Sequence, residues 1–162
     1  MFTPEQLNVI KYCAEECIRQ GKRDPMSTYN MVNAWDYAAW YGDERQITVD
    51  FIENIGNRVE PIDNANGIRT VPVFIGYEKR DAERLHERLE DLIKAYYDGR
   101  LDPTDKRYRI AVTSEDVFYF EFENIHPFGD GNGRTGKILY NYLLGNLKNP
   151  VMPPNFWNIA NP

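Results

Sequence analysis

A glycine-rich run from His126 to Lys137, reading HPFGDGNGRTGK, follows one apolar segment and overlaps the start of another near the C-terminal end of the sequence. Apolar residues recur at helical spacing in both neighbouring segments, residues 115–125 and 132–144. Glycine permits the backbone conformations that end one helix and begin another within a few residues. The run therefore predicts a tight turn that joins two packed helices.

The same run carries residues that a turn does not need. His126 can titrate near neutral pH, and Asp130 offers the hard oxygen ligand that Mg2+ prefers. Arg134 and Lys137 add positive charge. Three glycines let backbone N–H groups approach an anion closely, and these are Gly131, Gly133 and Gly136. This combination is typical of a site for a polyphosphate.

The rest of the sequence predicts a mainly α fold. Caps and apolar periodicity predict further helices at residues 4–20, 29–41, 48–55 and 81–98. Only residues 68–77 are rich in β-branched and aromatic side chains, and Pro72 lacks the N–H needed inside a sheet. An edge strand or a short hairpin is expected there. Aromatic residues alternate at 118, 120 and 122, so a strand remains an alternative to the helix at 115–125.

Length and composition limit the classes of protein. The 162 residues suit one domain, residues 1–162. A net charge of −6 disfavours nonspecific binding to nucleic acid or to an anionic membrane, both of which need a basic face. Cys13 and Cys17 lie four residues apart on a predicted helix and are expected to be core residues rather than a disulfide or metal pair. Without a leader or an apolar span, we expect a cytoplasmic protein.

Several phosphate and metal motifs fit parts of the run. Gly131, Gly133 and Gly136 match a dinucleotide fingerprint, but no buried strand precedes them. A P-loop would need Ser or Thr where Ile138 stands. An EF-hand would need an oxygen ligand at the position of Arg134 and an acidic residue further on.

The complete run resembles the active-site motif of the Fic family, His-x-Phe-x-(Asp/Glu)-Gly-Asn-Gly-Arg-x-x-Arg. Every defined position agrees except the last, where Lys137 replaces arginine. The resemblance covers roughly residues 67–147, including a segment that is similar to the family's flap hairpin. It implies a helical bundle with one short β-hairpin and transfer of a nucleotide monophosphate, usually AMP from ATP, to a hydroxyl of a target protein. Serine, threonine and tyrosine are the implied acceptors, and the oligomeric state stays open.

The resemblance also implies roles for the residues of the run. His126 would be the general base, Asp130 would bind Mg2+, and Phe128 would anchor the loop in the core. The implied phosphate-binding residues are Gly131, Asn132, Gly133, Arg134, Gly136 and Lys137. Flap residues would register an extended target segment by strand addition, and these are Thr70, Val71, Val73 and Phe74. Tyr140 and Asn141, one turn further on, are candidates for a nucleoside pocket, with ordinary helix packing as the alternative.

Lys137 leaves the details of the reaction open. A lysine offers one point charge where arginine offers a planar fork, so the distal phosphate would be held differently. Another nucleotide, a Doc-like phosphorylation, a nucleotide hydrolase and a nucleotide-binding module without turnover are the alternatives. Many relatives are restrained by a glutamate in a (Ser/Thr)-x-x-x-Glu-(Gly/Asn) pattern. Thr48 and Glu53 approach that pattern with the wrong spacing, so the sequence predicts no restraint of this kind.

Overall fold

The computed structural model describes residues 1–42 and 44–157. Within these residues, six α-helices and one β-hairpin form the regular structure, together with a short 3-10 turn at Lys106–Tyr108. The helices are α1 (Pro4–Arg19), α2 (Pro25–Tyr41), α3 (Val49–Val59), α4 (Leu85–Tyr97), α5 (Ser114–Ile125) and α6 (Asn132–Leu144). The mainly α prediction is confirmed, and residues 115–125 are helical rather than extended. No helix of this part of the chain has the length and apolar character needed to cross a bilayer.

Local capping chemistry explains most helix boundaries. Thr3 caps α1 in a capping box with Gln6, as its sequence predicts. The sequence predicts a start at residue 29 for α2, whereas the helix begins four residues earlier because Asp24 accepts the backbone N–H of Ser27. The predicted start of α4 at residue 81 is also wrong, since Arg84 adopts a left-handed conformation just before the helix.

Helix α6 lies in the centre of the bundle and packs against α2, α3 and α5. Helix α1 packs on α2, and α4 packs on α5 and α3. Large aromatic side chains fill the space between these helices, namely Trp35, Phe51, Phe118, Phe122 and Phe128. Cys13 and Cys17 are buried free thiols in the same core, which agrees with the sequence prediction. Because its first two turns are the second half of the glycine-rich run, α6 holds that run against the core.

The β-hairpin comprises β1 (Val73–Ile75) and β2 (Glu78–Arg80), paired antiparallel with Val73 opposite Arg80. Gly76 adopts a positive φ of 61° in the two-residue connection, a conformation that glycine adopts without strain. Pro72 lies immediately before β1, where its missing N–H breaks no ladder bond. The predicted short hairpin is therefore confirmed, although its second strand extends beyond the segment that the sequence indicates.

Candidate functional site

His126 ends helix α5 and begins the loop of the site. Its backbone is left-handed, with φ 52°, and its N–H still donates to the carbonyl of Phe122. Its ring Nδ1 lies 3.2 Å from the carbonyl oxygen of Glu123. Because a carbonyl only accepts, this contact selects the tautomer with the proton on Nδ1 and leaves the Nε2 lone pair available. Burial lowers the pKa of His126 below its ordinary value, so the neutral imidazole is favoured.

The loop after His126 closes on itself through one side chain. Asn132 accepts the N–H of Phe128 at 2.9 Å and donates to the carbonyl of the same residue at 2.9 Å. The Phe128 ring is fully buried, and a Cβ at Gly56 would overlap it, so α3 approaches this ring as closely as a glycine allows. Asn64, also buried, donates to the carbonyls of Gly56 and Asp130 at 2.9 Å each. Core packing and buried hydrogen bonds thus determine the loop conformation.

Asp130 projects from this loop toward other carboxylates. Its Oδ1 accepts the N–H of Gly131 at 2.7 Å, and its Oδ2 accepts from Lys22 Nζ at 2.6 Å. Partial burial opposes ionisation, but the hydrogen bonds from Lys22 and Gly131 hold the pKa of Asp130 below its ordinary value. One carboxylate oxygen from each of Glu60, Asp63 and Asp130 lies within 4.8 Å of the others. Such closely spaced hard oxygens fit a divalent cation such as Mg2+.

Arg134 lies in the first turn of α6 with 1% of its side chain exposed. Its Nη2 is 2.6 Å from Glu60 Oε1 and 3.6 Å from Asp130 Oδ1. Its Nε and Nη1 are buried and have no hydrogen-bond partner among residues 1–42 and 44–157. Buried guanidinium donors without acceptors are uncommon in proteins, and these two N–H groups are available to donate to an anion. The start of α6 adds the partial positive charge of a helix N-terminus.

Lys137, one turn further along α6, is already paired. Its Nζ lies 2.7 Å from Glu16 Oε1, with 8% and 1% of the two side chains exposed. Glu16 also accepts from Arg19 Nε and Gln20 Nε2, each at 2.8 Å. The sequence predicts no glutamate for this cation, because Glu16 lies outside the (Ser/Thr)-x-x-x-Glu-(Gly/Asn) pattern. The structure nevertheless supplies one from α1.

A cavity of about 410 Å³ joins His126 to Lys137. Its other lining residues include Gly133 of α6, Ile75 of the hairpin, and Met152 and Trp157 of the C-terminal segment. Glu123 lines it too, and burial raises the pKa of that carboxyl to about 7, opposed by Lys137. A larger cavity, of about 640 Å³, lies between the start of α3 and α4, away from this run, and exposed His86 is part of its wall.

Three site candidates from the sequence contact other parts of the helical bundle. Gly136 faces α5, where a Cβ would meet Glu123 Oε1 at 2.6 Å, so its close approach is to a neighbouring helix. Tyr140 donates to Asp116 Oδ1 at 2.8 Å and is buried. Asn141 is also buried. Its side-chain amide donates to the carbonyl of Val151 and accepts the backbone N–H of Val151. None of the three lines the 410 Å³ cavity, but neither do Asp130, Gly131, Asn132 and Arg134. The phosphate role of Gly136 and the nucleoside-pocket role of Tyr140 and Asn141 therefore stay predictions.

The hairpin is joined to the loop of His126 by Arg69. This buried side chain donates from Nε to the carbonyl of His126 at 2.7 Å and from Nη1 to the carbonyls of Val71 and Arg80 at 2.8 and 3.0 Å. Its Nη2 reaches the carbonyl of Asp81 at 3.0 Å. In contrast, the four candidate docking residues point largely to solvent: Thr70, Val71 and Phe74 are exposed, and Val73 is half-buried.

Several residues near the run in the structure are not predicted by the sequence, because they are far from the run along the chain. Lys22, Glu60, Asp63 and Glu16 come from α1, from α3 or from the turns that follow these helices. Each is an ordinary charged residue at a helix end or in a polar segment, and no local spacing distinguishes it. Only the folded chain brings them to the run.

The fold is a mainly α bundle with one β-hairpin beside a loop that carries His, Asp, Asn and Arg. Comparison with known proteins identifies its family. The family model described as "Fic/DOC family" matches residues 47–144. The chain therefore belongs to the Fic/DOC family. It is 30% identical over 104 residues to protein adenylyltransferase fic-1 of Caenorhabditis elegans, covering 61% of this chain and 19% of that protein.

Two further comparisons agree with the family. Protein adenylyltransferase Fic of Drosophila willistoni is 31% identical over 107 residues, which cover 61% of this chain and 20% of the relative. A solved fragment of C. elegans Fic-1 has the same fold, with a TM-score of 0.52 at 22% identity, covering 86% of this chain and 44% of the fragment. The chain thus spans about a fifth of the length of these two curated relatives.

Proposed function

We propose that this chain is a Fic-type nucleotidyltransferase that moves AMP from ATP onto a serine, threonine or tyrosine hydroxyl of a target protein. The observation that carries the proposal is the ring of His126, oriented by the Glu123 carbonyl, at one end of a cavity that runs along the start of α6. The names of the relatives, each a protein adenylyltransferase, support the same reaction. We propose the cytoplasm as its location, since the two buried thiols suit a reducing compartment.

The target hydroxyl attacks the α-phosphorus while His126 Nε2 takes its proton. A P–O bond forms to the target, the bond from the α-phosphorus to the bridging oxygen breaks, and pyrophosphate leaves. His126 must be neutral at this moment, and burial favours that form at pH 7. Activity is therefore expected to fall as the pH drops through the pKa of His126. Bound phosphates stabilise the imidazolium, so in the nucleotide complex this loss of activity should begin at a higher pH than burial alone predicts.

Positive charge along the start of α6 would hold the phosphates. The unpaired Nε and Nη1 of Arg134 provide two donors, and the backbone of Gly131, Asn132 and Gly133 lies at the helix N-terminus. Asp130 would bind Mg2+, with Glu60 and Asp63 close enough to contribute oxygens. The bound Mg2+ would supply charge neutralisation for the departing pyrophosphate.

Lys137 would contact the distal phosphate only after exchanging its partner. Its ammonium lies 2.7 Å from Glu16, and the carboxylate of Glu16 is fully buried. An anionic phosphate and Glu16 would therefore compete for one cation. Glu16→Gln removes the charge while keeping the shape, and we expect it to tighten ATP binding by about tenfold in calorimetry. Equal affinities in the two proteins would show that Glu16 does not compete with the nucleotide for Lys137.

Labelling with α-labelled nucleotides in a cell lysate tests the proposed reaction. The purified protein is incubated with Mg2+ and ATP, GTP, UTP or CTP, beside a His126→Ala control, and labelled proteins are identified by mass spectrometry. Labelling of a protein by ATP that depends on His126 supports adenylyl transfer. Labelling by GTP, UTP or CTP instead would mean that the transferred nucleotide carries a different nucleobase. Release of free AMP without labelled protein indicates a hydrolase. Label on a protein only when γ-labelled ATP replaces the α-labelled ATP indicates a Doc-like kinase. Nucleotide binding without turnover indicates a binding module.

A further inference from the structure

The position of Lys22 is fixed by the end of helix α1. Gly21 adopts a positive φ of 76°, and its N–H donates to the carbonyl of Ile18 at 3.0 Å. The N–H of Lys22 then donates to the carbonyl of Cys17 at 2.8 Å, which completes a Schellman motif. This motif sets the direction in which the chain leaves the helix. The Lys22 side chain is thereby directed at the loop that holds Asp130.

The ammonium of Lys22 occupies the carboxylate cluster. Its Nζ lies 2.6 Å from Asp130 Oδ2 and 3.3 Å from Glu60 Oε1. The other oxygen of Asp130 accepts the N–H of Gly131 at 2.7 Å, so both oxygens of this carboxylate are engaged. A cation that enters between Asp130 and Glu60 therefore meets a positive charge that is already bound there. The two cations cannot share Oδ2 at coordination distance, because like charges at such separations repel strongly.

We propose that Lys22 is a built-in counter-ion that competes with the divalent metal for Asp130 and must withdraw before the metal binds. The inference rests on the metal-binding role of Asp130 in the proposed function. Withdrawal requires only rotation of the lysine stem, since 31% of its side chain is exposed and the backbone bond of the Schellman motif stays in place. Metal alone then binds weakly, whereas a metal that arrives with nucleotide phosphates brings negative charge that offsets the repulsion by Lys22.

Metal binding without nucleotide tests this inference. The free Mn2+ signal in electron paramagnetic resonance gives the dissociation constant for Mn2+ in four proteins: the unaltered chain, Lys22→Met, Asp130→Asn and Lys22→Met with Asp130→Asn. Lys11→Met is the matched control, because it removes the same charge from a side chain that is 76% exposed and 3.9 Å from its nearest acidic partner. Lys22→Gln repeats the measurement with a polar side chain, and circular dichroism checks that each variant is folded.

We expect Lys22→Met and Lys22→Gln to bind Mn2+ about tenfold more tightly than the unaltered chain, since each removes a charge-assisted hydrogen bond that the metal must break. Asp130→Asn should abolish the gain, and Lys11→Met should leave the affinity unchanged. If the unaltered chain binds Mn2+ through Asp130 but neither Lys22 variant binds more tightly, the role of Lys22 is wrong and the metal site stands. If no variant binds Mn2+ through Asp130, both the inference and the proposed metal site are wrong.

Discussion

The loop of residues 126–132 and the β-hairpin of residues 73–80 border the same cavity but are held in place very differently. Asn132 closes the loop with two hydrogen bonds, and the ring of Phe128 is buried in the core beneath it. The hairpin pairs with itself, and its side chains are largely exposed. In the proposed function, the rigid loop would bind a phosphate group of fixed shape, whereas the exposed strand edge would bind the backbone of a variable protein segment.

The largest expected effect comes from removing the imidazole of the loop. His126→Asn should lower the rate of target labelling by about 10²- to 10⁴-fold, the usual contribution of a general base. Asparagine tolerates the left-handed conformation that this position has, so the loop should stay intact. Initial rates of labelling give the activity, and calorimetry with ATP shows whether the nucleotide still binds. A variant that keeps more than a tenth of the rate would exclude His126 as the base.

The next prediction concerns the stability that Asn132 gives to the protein by closing the loop. Asn132→Ala removes both hydrogen bonds to Phe128 and leaves a buried N–H and a buried carbonyl without partners. Each buried group left unpaired costs about 1–3 kcal/mol, so with two such groups we expect the free energy of unfolding to fall by about 2–6 kcal/mol. Equilibrium unfolding in urea measures it. Asn8→Ala, an exposed change in α1, is the control and should alter it by less than about 0.5 kcal/mol. A similar small change for both variants would show that the loop does not depend on Asn132.

The same contrast explains which parts the sequence predicts. The helices and the run from His126 to Arg134 are local features, since caps, apolar spacing and glycines act over a few residues. The partners of the run are not local: Glu60 lies 74 residues before Arg134, and Lys22 lies 108 residues before Asp130. Without the fold, no signal in the sequence selects them among 25 acidic and 19 basic residues.

The boundaries that the sequence misplaces also have physical causes. Helix α2 begins early because Asp24 and Pro25 supply a cap and a favourable first residue, a signal that the aromatic stripe further along the helix obscures. The start of α4 depends on the left-handed backbone of Arg84, which no residue type near it indicates. The surroundings of Gly136 are also hidden in the sequence. The packing of α6 on α5 places this glycine against α5, and a glycine in the sequence does not show which neighbour it approaches.

A smaller effect is expected where the two regions are joined. Arg69→Lys should replace four carbonyl contacts by one point charge and loosen the hairpin from the loop. We expect amide hydrogen exchange in β1 and β2 to become about tenfold faster, equivalent to about 1.4 kcal/mol of local stability, while α6 is unchanged. Arg80→Lys is the control, because its guanidinium pairs with the exposed Glu78 at 2.8 Å within the hairpin itself. Unchanged exchange in the hairpin would mean that pairing within it, rather than Arg69, sets its local stability.

The smallest effect on the protein itself should come from the exposed face of the hairpin. Val71 and Phe74 are 61% and 68% exposed, so replacing both by serine should change the free energy of unfolding by less than about 0.5 kcal/mol. The double variant should bind ATP as the unaltered chain does, since neither residue lines the cavity of His126 and Lys137. Target labelling should nevertheless fall by about tenfold, because exposed apolar side chains beside a strand edge would anchor an extended segment. Labelling at the unaltered rate would remove the docking role, and a parallel loss of ATP binding would mean that the hairpin shapes the nucleotide site instead.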